Sequence, residues 1–123
     1  MANSFVHVEL QTNDLARARE FYSKLFDWKL QDVPMPGGAG SYTMIDVGNG
    51  TGGGMMTAPA PGIPPHWLAY VGVDDIHAST KKARELGAKV VMDVTEVGEY
   101  GTMSAITDPT GATLALWQSK GGT

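Results

Sequence analysis

The stretch DLARAREFYSKLFDW, Asp14–Trp28, decides the fold of this chain of 123 residues. Its apolar residues recur at helical spacing behind an acidic side chain that accepts hydrogen bonds from free backbone N–H groups, which predicts a capped helix ending near Phe26. A second acidic cap, Asp75, opens a similar stretch about 61 residues later, and Gly87 closes it. The chain is therefore predicted to repeat one supersecondary unit in tandem.

Short strands of alternating polarity surround both predicted helices. In the first, Phe5–Gln11, the even-numbered apolar residues share one face and are predicted to pack under a helix, whereas His7 and Glu9 share the other. The first helix is predicted to turn five apolar residues inward: Leu15, Ala18, Phe21, Tyr22 and Leu25. Loops are expected at Pro34–Gly40 and around Glu96–Gly98, and a tail is expected from Ser119.

The order of a strand, a helix and three strands occurs twice. The predicted strands are Phe5–Gln11, Trp28–Val33, Tyr42–Val47, Thr51–Thr57, His66–Val73, Lys89–Val94, Tyr100–Thr107 and Ala112–Gln118. A stiff proline-rich segment at 58–65 stands between the two halves. We therefore predict a single domain over 1–123, with unit one at about 1–57, this linker, and unit two at about 66–118.

Composition excludes several classes of protein. The chain has no cysteine, which rules out disulfides, thiolate metal sites and a cysteine nucleophile. Its formal net charge of −4 is spread along the sequence, which argues against a nucleic-acid partner. No apolar run approaches the roughly 20 residues of a membrane span, and the N-terminal MANSFVHVEL lacks the pattern of a signal peptide. We therefore expect a cytoplasmic protein with no membrane partner.

Several motifs give the chain a resemblance to a known family. They are HVELQTNDLARAREFY (His7–Tyr22), LFDW (Leu25–Trp28), VDDI (Val73–Ile76), ELGAKVV (Glu85–Val91), DPTG (Asp108–Gly111) and LWQ (Leu116–Gln118). On these residues the chain resembles the glyoxalase/bleomycin-resistance/dioxygenase group, also called the vicinal oxygen chelate superfamily. The resemblance implies an α+β fold in which tandem βαβββ repeats form a cupped eight-stranded mixed sheet with the helices outside. It also implies a homodimer.

The resemblance implies metal ligands on the first and last strand of each unit. The matching positions here are His7, Gly54, Leu68 and Ala115, and only the histidine has a side chain that binds metals. We therefore predict no metal and no other cofactor. A displaced set of His7, Glu9 and His66 is the alternative, although neighbours on one strand face lie about 6–7 Å apart.

The face of the first strand that carries His7 and Glu9 is the candidate catalytic site. Glu9 is predicted to act as a base or to hold a ligand, because a buried carboxylate is seldom left without a partner. His7 is predicted either to orient a ligand or simply to form a hydrogen bond to Glu9 or a tyrosine. The predicted substrate-binding residues, with core packing as the alternative for several of them, are Tyr42, Gly54, Met56, His66, Leu68, Tyr70, Met103, Ala115 and Trp117.

Three hypotheses for function follow. The first is metal-independent binding of a small molecule in a cup between the two units, by a sequestering protein or by a glyoxalase-like enzyme. The second is a metal-dependent lyase or dioxygenase that uses His7, Glu9 and His66. The third is a non-catalytic interaction domain whose cup is filled by its own side chains, although Gly54 and Ala115 leave space. Whether the chain is an enzyme stays open.

Overall fold

The computed structural model describes residues 3–35 and 40–120. Two helices and eight strands occur in this part of the chain, in the order predicted from the sequence. They are β1 (Phe5–Thr12), α1 (Leu15–Leu25), β2 (Lys29–Pro34), β3 (Ser41–Asp46), β4 (Gly53–Thr57), β5 (His66–Gly72), α2 (Ile76–Glu85), β6 (Lys89–Val97), β7 (Gly101–Thr107) and β8 (Thr113–Ser119). The predicted fold class, α+β with tandem βαβββ repeats and mixed strand pairing, is confirmed.

The chain divides into two compact units that are described separately. The N-terminal unit is His7–Leu68, and the C-terminal unit combines the residues up to Val6 with those from Ala69 onward. In the N-terminal unit the strands lie in the order β2-β3-β4-β1. The pairs β2–β3 and β3–β4 are antiparallel, whereas β1 and β4 are parallel. This parallel pairing places Glu9 directly beside Gly54.

Helix α1 begins and ends as its sequence indicates. The Asp14 carboxylate accepts a 3.1 Å hydrogen bond from the Arg17 N–H, and Phe26 follows as the C-cap. The core beneath the helix consists of Leu10, Ile45 and the fully buried Met55. Against it pack the partly buried residues Leu15, Ala18, Tyr22, Trp28, Leu30 and Val47.

The C-terminal unit repeats these local devices. Its strands lie in the order β5-β8-β7-β6, with β5 and β8 parallel and the other pairs antiparallel. The Asp75 carboxylate accepts a 3.1 Å hydrogen bond from the Ala78 N–H, which is the counterpart of the cap at Asp14. Gly87 ends α2 with a φ of 102°, a backbone conformation that side chains other than glycine rarely adopt.

Some sequence predictions are wrong in detail. Phe21 and Leu25 do not face the core, because 57% and 55% of their surfaces remain exposed. Glu96 and Val97 belong to β6 and Ser119 to β8, so strand pairing continues where a loop and a tail were expected. The loop predicted at 34–40 begins only after Pro34, which pairs with Ser41 in the β2–β3 ladder. Residues 36–39 of that loop and 121–123 of the tail lie outside the described residues.

The helices are too short to cross a bilayer. Across residues 3–35 and 40–120, neither α1 nor α2 has the length and apolar content of a membrane span.

Candidate functional site

A continuous chain of hydrogen bonds runs across the polar face of the N-terminal unit. The Tyr42 hydroxyl on β3 donates to Glu9 Oε1 on β1 over 2.9 Å, and His7 Nε2 lies 2.8 Å from the same hydroxyl. A phenol has one hydrogen, which goes to the carboxylate here, so His7 must donate its Nε2 hydrogen to the Tyr42 oxygen. The order of donation is therefore His7 to Tyr42 to Glu9.

Glu9 is the buried end of this chain. Only 5% of its surface is exposed, and both carboxylate oxygens accept hydrogen bonds: Oε1 from Tyr42, and Oε2 from the Gln11 amide over 2.7 Å. Bonds of this kind to a charged acceptor are short and offset the loss of water that burial imposes. His7 and Tyr42 are only partly buried. The side chains that solvent reaches are thus the histidine and the tyrosine rather than the carboxylate.

Burial controls the charge of His7. Loss of water around the ring lowers the pKa of His7 below its ordinary value of 6.5, and the nearby negative charge of Glu9 raises that pKa by a smaller amount. Its neutral form is therefore favoured. This agrees with a ring that gives one hydrogen to Tyr42.

Gly54 leaves room for the Tyr42 ring. A Cβ atom built at Gly54 would overlap Cε2, Cζ and the oxygen of that ring. No residue with a side chain fits at position 54 while the tyrosine keeps its two hydrogen bonds. The glycine on β4 is therefore a condition for the chain that joins His7 to Glu9.

The C-terminal unit has apolar counterparts at the equivalent positions. In the repeat, Tyr70 corresponds to Glu9, Met103 to Tyr42, and Ala115 to Gly54. The Tyr70 hydroxyl lies 3.9 Å from the Met103 sulfur, and its ring packs edge to face on Trp117 at 6.3 Å. Ala115 on β8 is fully buried and pairs with Tyr70 on β5. The flexible Met103 side chain leaves room for the Ala115 methyl group, whereas the Tyr42 ring in the N-terminal unit leaves none at Gly54.

The residues at the family's ligand positions do not fit a metal ion. Gly54, Leu68 and Ala115 carry no donor atom, and His7 gives its Nε2 hydrogen to Tyr42. The displaced set also fails to form, since no three His, Cys, Asp or Glu side chains within 3–35 and 40–120 are grouped so that they could hold a metal. His66 is instead hydrogen-bonded through Nδ1 to the Pro64 carbonyl over 2.8 Å.

The predicted site residues thus form local groups. In the N-terminal unit His7, Glu9, Tyr42 and Gly54 come together, and Met56, partly buried, shares the strand face of Gly54 two residues away. In the C-terminal unit a second group consists of Tyr70, Met103, Ala115 and Trp117. Leu68 is buried, with 5% of its surface exposed. The ring of His66 is hydrogen-bonded to the Pro64 carbonyl in the linker and not to His7 or Glu9.

Two features of the N-terminal unit were not predicted from the sequence. The Gln11 amide donates a hydrogen bond to Oε2 of Glu9. Strand alternation places Gln11 on the same face as Glu9, two residues further on, and could have predicted this contact. An apolar pocket of about 270 Å³ also opens on the opposite face of β1. It is lined by Val8, Trp28, Ile45, Val47, Thr51, Gly52, Gly53 and Trp67. The rings of Trp28 and Trp67 pack edge to face with their centroids 6.3 Å apart. This contact was not predicted because the two residues are 39 positions apart in the sequence.

We expect Gly54→Ala to destabilise the protein through Tyr42. The new methyl group overlaps the phenol ring, and overpacking of this kind costs about 1–3 kcal/mol in free energy of unfolding. In a Tyr42→Ala background the same substitution should cost much less, because the ring is gone. A double-mutant cycle by urea unfolding measures the coupling. Equal effects of Gly54→Ala in the two backgrounds would contradict this packing.

Stability should fall on the acid side of neutrality because of His7. Its pKa in the folded state lies below the ordinary 6.5, so in the window beneath 6.5 the unfolded chain binds a proton there that the folded chain does not. The free energy of unfolding should therefore decrease as pH falls from about 8 to about 5.5, and His7→Gln should reduce that decrease. The exposed His77→Gln is the matched control and should leave the pH dependence unchanged. Identical profiles for the parent and His7→Gln would refute the assignment.

Comparison with known proteins agrees with this architecture. Residues 4–116 match the family model described as Glyoxalase/Bleomycin resistance protein/Dioxygenase superfamily. A solved methylmalonyl-CoA epimerase from Mycobacterium tuberculosis superimposes with a TM-score of 0.68 at 16% identity, covering 94% of this chain and 87% of the other. At that identity the likeness supports the fold alone.

Two curated relatives are closer in sequence. A Mycobacterium bovis protein named "Putative glyoxylase CFP32" is 43% identical over 92% of this chain and 44% of its own length. The anthracycline biosynthesis protein DnrV of Streptomyces peucetius is 30% identical over 89% of this chain and 45% of its own length. The chain thus spans a little less than half of each relative. With nearly all of the chain matched by the family model, it belongs to the glyoxalase/bleomycin resistance protein/dioxygenase superfamily.

Proposed function

We propose that this chain binds a small molecule on the face of the N-terminal unit that carries His7, Tyr42 and Glu9, and that it does so without a metal ion. The observation that carries the proposal is the continuous hydrogen-bond chain from His7 through Tyr42 to Glu9, at a position where the family resemblance implies a ligand side chain. Polar groups that converge in fixed positions are a usual part of a small-molecule site. Both a sequestering protein and a glyoxalase-like enzyme remain compatible with it.

The donor set favours metal independence. Three of the four positions have no donor atom, and a Gly54 replaced by a ligand residue would meet the Tyr42 ring. Burial lowers the pKa of His7 and keeps it neutral, but its Nε2 would have to leave Tyr42 in order to bind an ion. In this proposal the Tyr42 hydroxyl binds the ligand through hydrogen bonds, in place of a metal ion.

We expect divalent metals to leave the protein unaffected. Protein purified without chelator should contain well under one Zn²⁺, Ni²⁺, Mn²⁺ or Fe²⁺ per chain, and adding each ion should not raise the melting temperature. A specific ligand would raise it by mass action, by about 2.7 kcal/mol of stability at a hundredfold excess over Kd. One ion per chain, with a stabilisation that His7→Ala abolishes, would overturn the metal-independent proposal.

A planar aromatic ligand is a second candidate, at the apolar pocket on the opposite face of β1. Trp28 and Trp67 stand at its wall, and Trp67 is 39% exposed. A volume of about 270 Å³ suits one or two fused rings. The relative named for anthracycline biosynthesis agrees with planar aromatic chemistry in general, although a pocket of this volume holds only part of the four-ring anthracycline skeleton.

The aromatic candidate is tested with anilinonaphthalene sulfonate, whose fluorescence rises in apolar surroundings. We expect saturable binding, weakened about three- to tenfold by Trp67→Ala, since an aromatic contact contributes about 0.5–1.5 kcal/mol. Tyr100→Ala removes an exposed aromatic side chain outside this pocket, so it is the control and should bind like the parent. Non-saturable fluorescence, or equal loss in both variants, would reject the pocket.

Cellular location and assembly are also proposals. We propose a homodimer acting in the cytoplasm, in keeping with the tendency of this fold family to form dimers. Sedimentation of a monomer at micromolar concentration would remove the dimer.

A further inference from the structure

We infer that Tyr42 is the residue that meets the ligand, and that Glu9 acts only through it, by accepting the tyrosine's proton. This deepens the proposed function and rests on it for the identity of the site. It also changes the role of Glu9 from a direct base, as predicted from the sequence, to a positioning residue.

Access separates the two residues. Glu9 is 5% exposed and lies beneath a phenol that bonds one of its oxygens while Gln11 bonds the other. Because Glu9 is buried, a ligand that touched the carboxylate would have to push Tyr42 or Gln11 aside and leave a buried polar group without its partner, at a cost of about 1–3 kcal/mol. Tyr42 is only partly buried, so the tyrosine is the more accessible residue of the pair.

The direction of the hydrogen bonds suits proton transfer through the phenol. A ligand proton moves to the Tyr42 oxygen while the hydrogen already on that oxygen moves to Glu9 Oε1. The ligand becomes an anion, Glu9 becomes a neutral acid, and the bond from His7 Nε2–H to the tyrosine oxygen is kept. Charge and protons balance, and no metal or co-reactant is needed.

Position 54 keeps this arrangement in place. The tyrosine ring occupies the space of any side chain at Gly54, so its oxygen is held between His7 and Glu9 by packing as well as by hydrogen bonds. Preorganisation of this kind lowers the reorganisation needed at the moment of reaction. A rotation of Tyr42 away from Glu9 would break the hydrogen bonds of its hydroxyl to both His7 and Glu9.

The charge of Glu9 defines the class of ligand. A carboxylate under the phenol repels an anionic group, so the arrangement favours a neutral molecule that has an ionisable proton next to Tyr42, such as an enol, a phenol or a carbon acid beside a carbonyl. Carboxylates and phosphates are disfavoured at this point of the surface.

The test uses N-acetylimidazole, which acetylates accessible tyrosine oxygens and needs no knowledge of the ligand. The Tyr42 oxygen attacks the acetyl carbon, its proton passes to Glu9, the bond from the acetyl carbon to imidazole breaks, and the departing imidazole recovers a proton through solvent. Peptide mass spectrometry gives the rate at each tyrosine. Tyr100, which is 52% exposed and lies in the turn between β6 and β7, serves as the internal control.

We expect Tyr42 to be acetylated in the folded protein, and Glu9→Gln to slow it at least tenfold while the rate at Tyr100 is unchanged. In the unmodified protein the reaction at Tyr42 should be slowed by D₂O more than the reaction at Tyr100, which tests the proton transfer even if Glu9→Gln fails to fold. A Tyr42 that resists the reagent, or a rate that neither Glu9→Gln nor D₂O changes, would overturn the inference. Because neither metal nor ligand is involved, this result is independent of the outcome for the proposed binding function.

Discussion

The close approach of the Tyr42 ring to the Gly54 backbone is the constraint on which the candidate site depends. It requires β3, β4 and β1 to be neighbours in that order, because the ring must cross from β3 over the glycine on β4 to reach the carboxylate on β1. It also requires that no side chain be present at position 54. Hydrogen bonds from Tyr42 to Glu9 and from His7 to Tyr42 then follow from the register of the strands. The absence of a side chain at Gly54 thus allows His7, Tyr42 and Glu9 to form one hydrogen-bond chain.

The internal repeat provides a comparison within a single chain. At the three equivalent positions of the C-terminal unit a tyrosine, a methionine and an alanine take the place of Glu9, Tyr42 and Gly54. Both versions bring the first and third residues of the set next to one another across parallel strands, Glu9 beside Gly54 and Tyr70 beside Ala115. The two units therefore share this strand pairing, while one carries a hydrogen-bond chain that ends on a carboxylate and the other a contact between the Tyr70 hydroxyl and the Met103 sulfur. Side chains alone make the two faces chemically different.

Much of the fold could be predicted from the sequence, because its signals are local. Asp14 and Asp75 cap their helices through contacts three residues along the chain, and periodicity separates helices from strands. The exposure of Phe21 and Leu25 could not be predicted in the same way, since both satisfy the helical spacing and only tertiary packing decides which residues are covered. The ends of β6 and β8 depended on pairing partners, which periodicity does not reveal.

The residues of the candidate site could be predicted from the sequence, but the hydrogen bonds between them could not. His7 and Glu9 share a strand face by simple alternation, and Gly54 follows from the repeat, but the tyrosine that joins them comes from a strand some 33 to 35 residues away. The distinction matters for chemistry. A carboxylate read from the sequence alone looks like a base facing the ligand, whereas in the structure the same carboxylate is buried and accepts hydrogen bonds from a phenol and an amide. Loss of the metal-binding residues and the presence of Tyr42 are then two aspects of one arrangement, since the ring that supplies the hydroxyl occupies the space that a ligand side chain at position 54 would need.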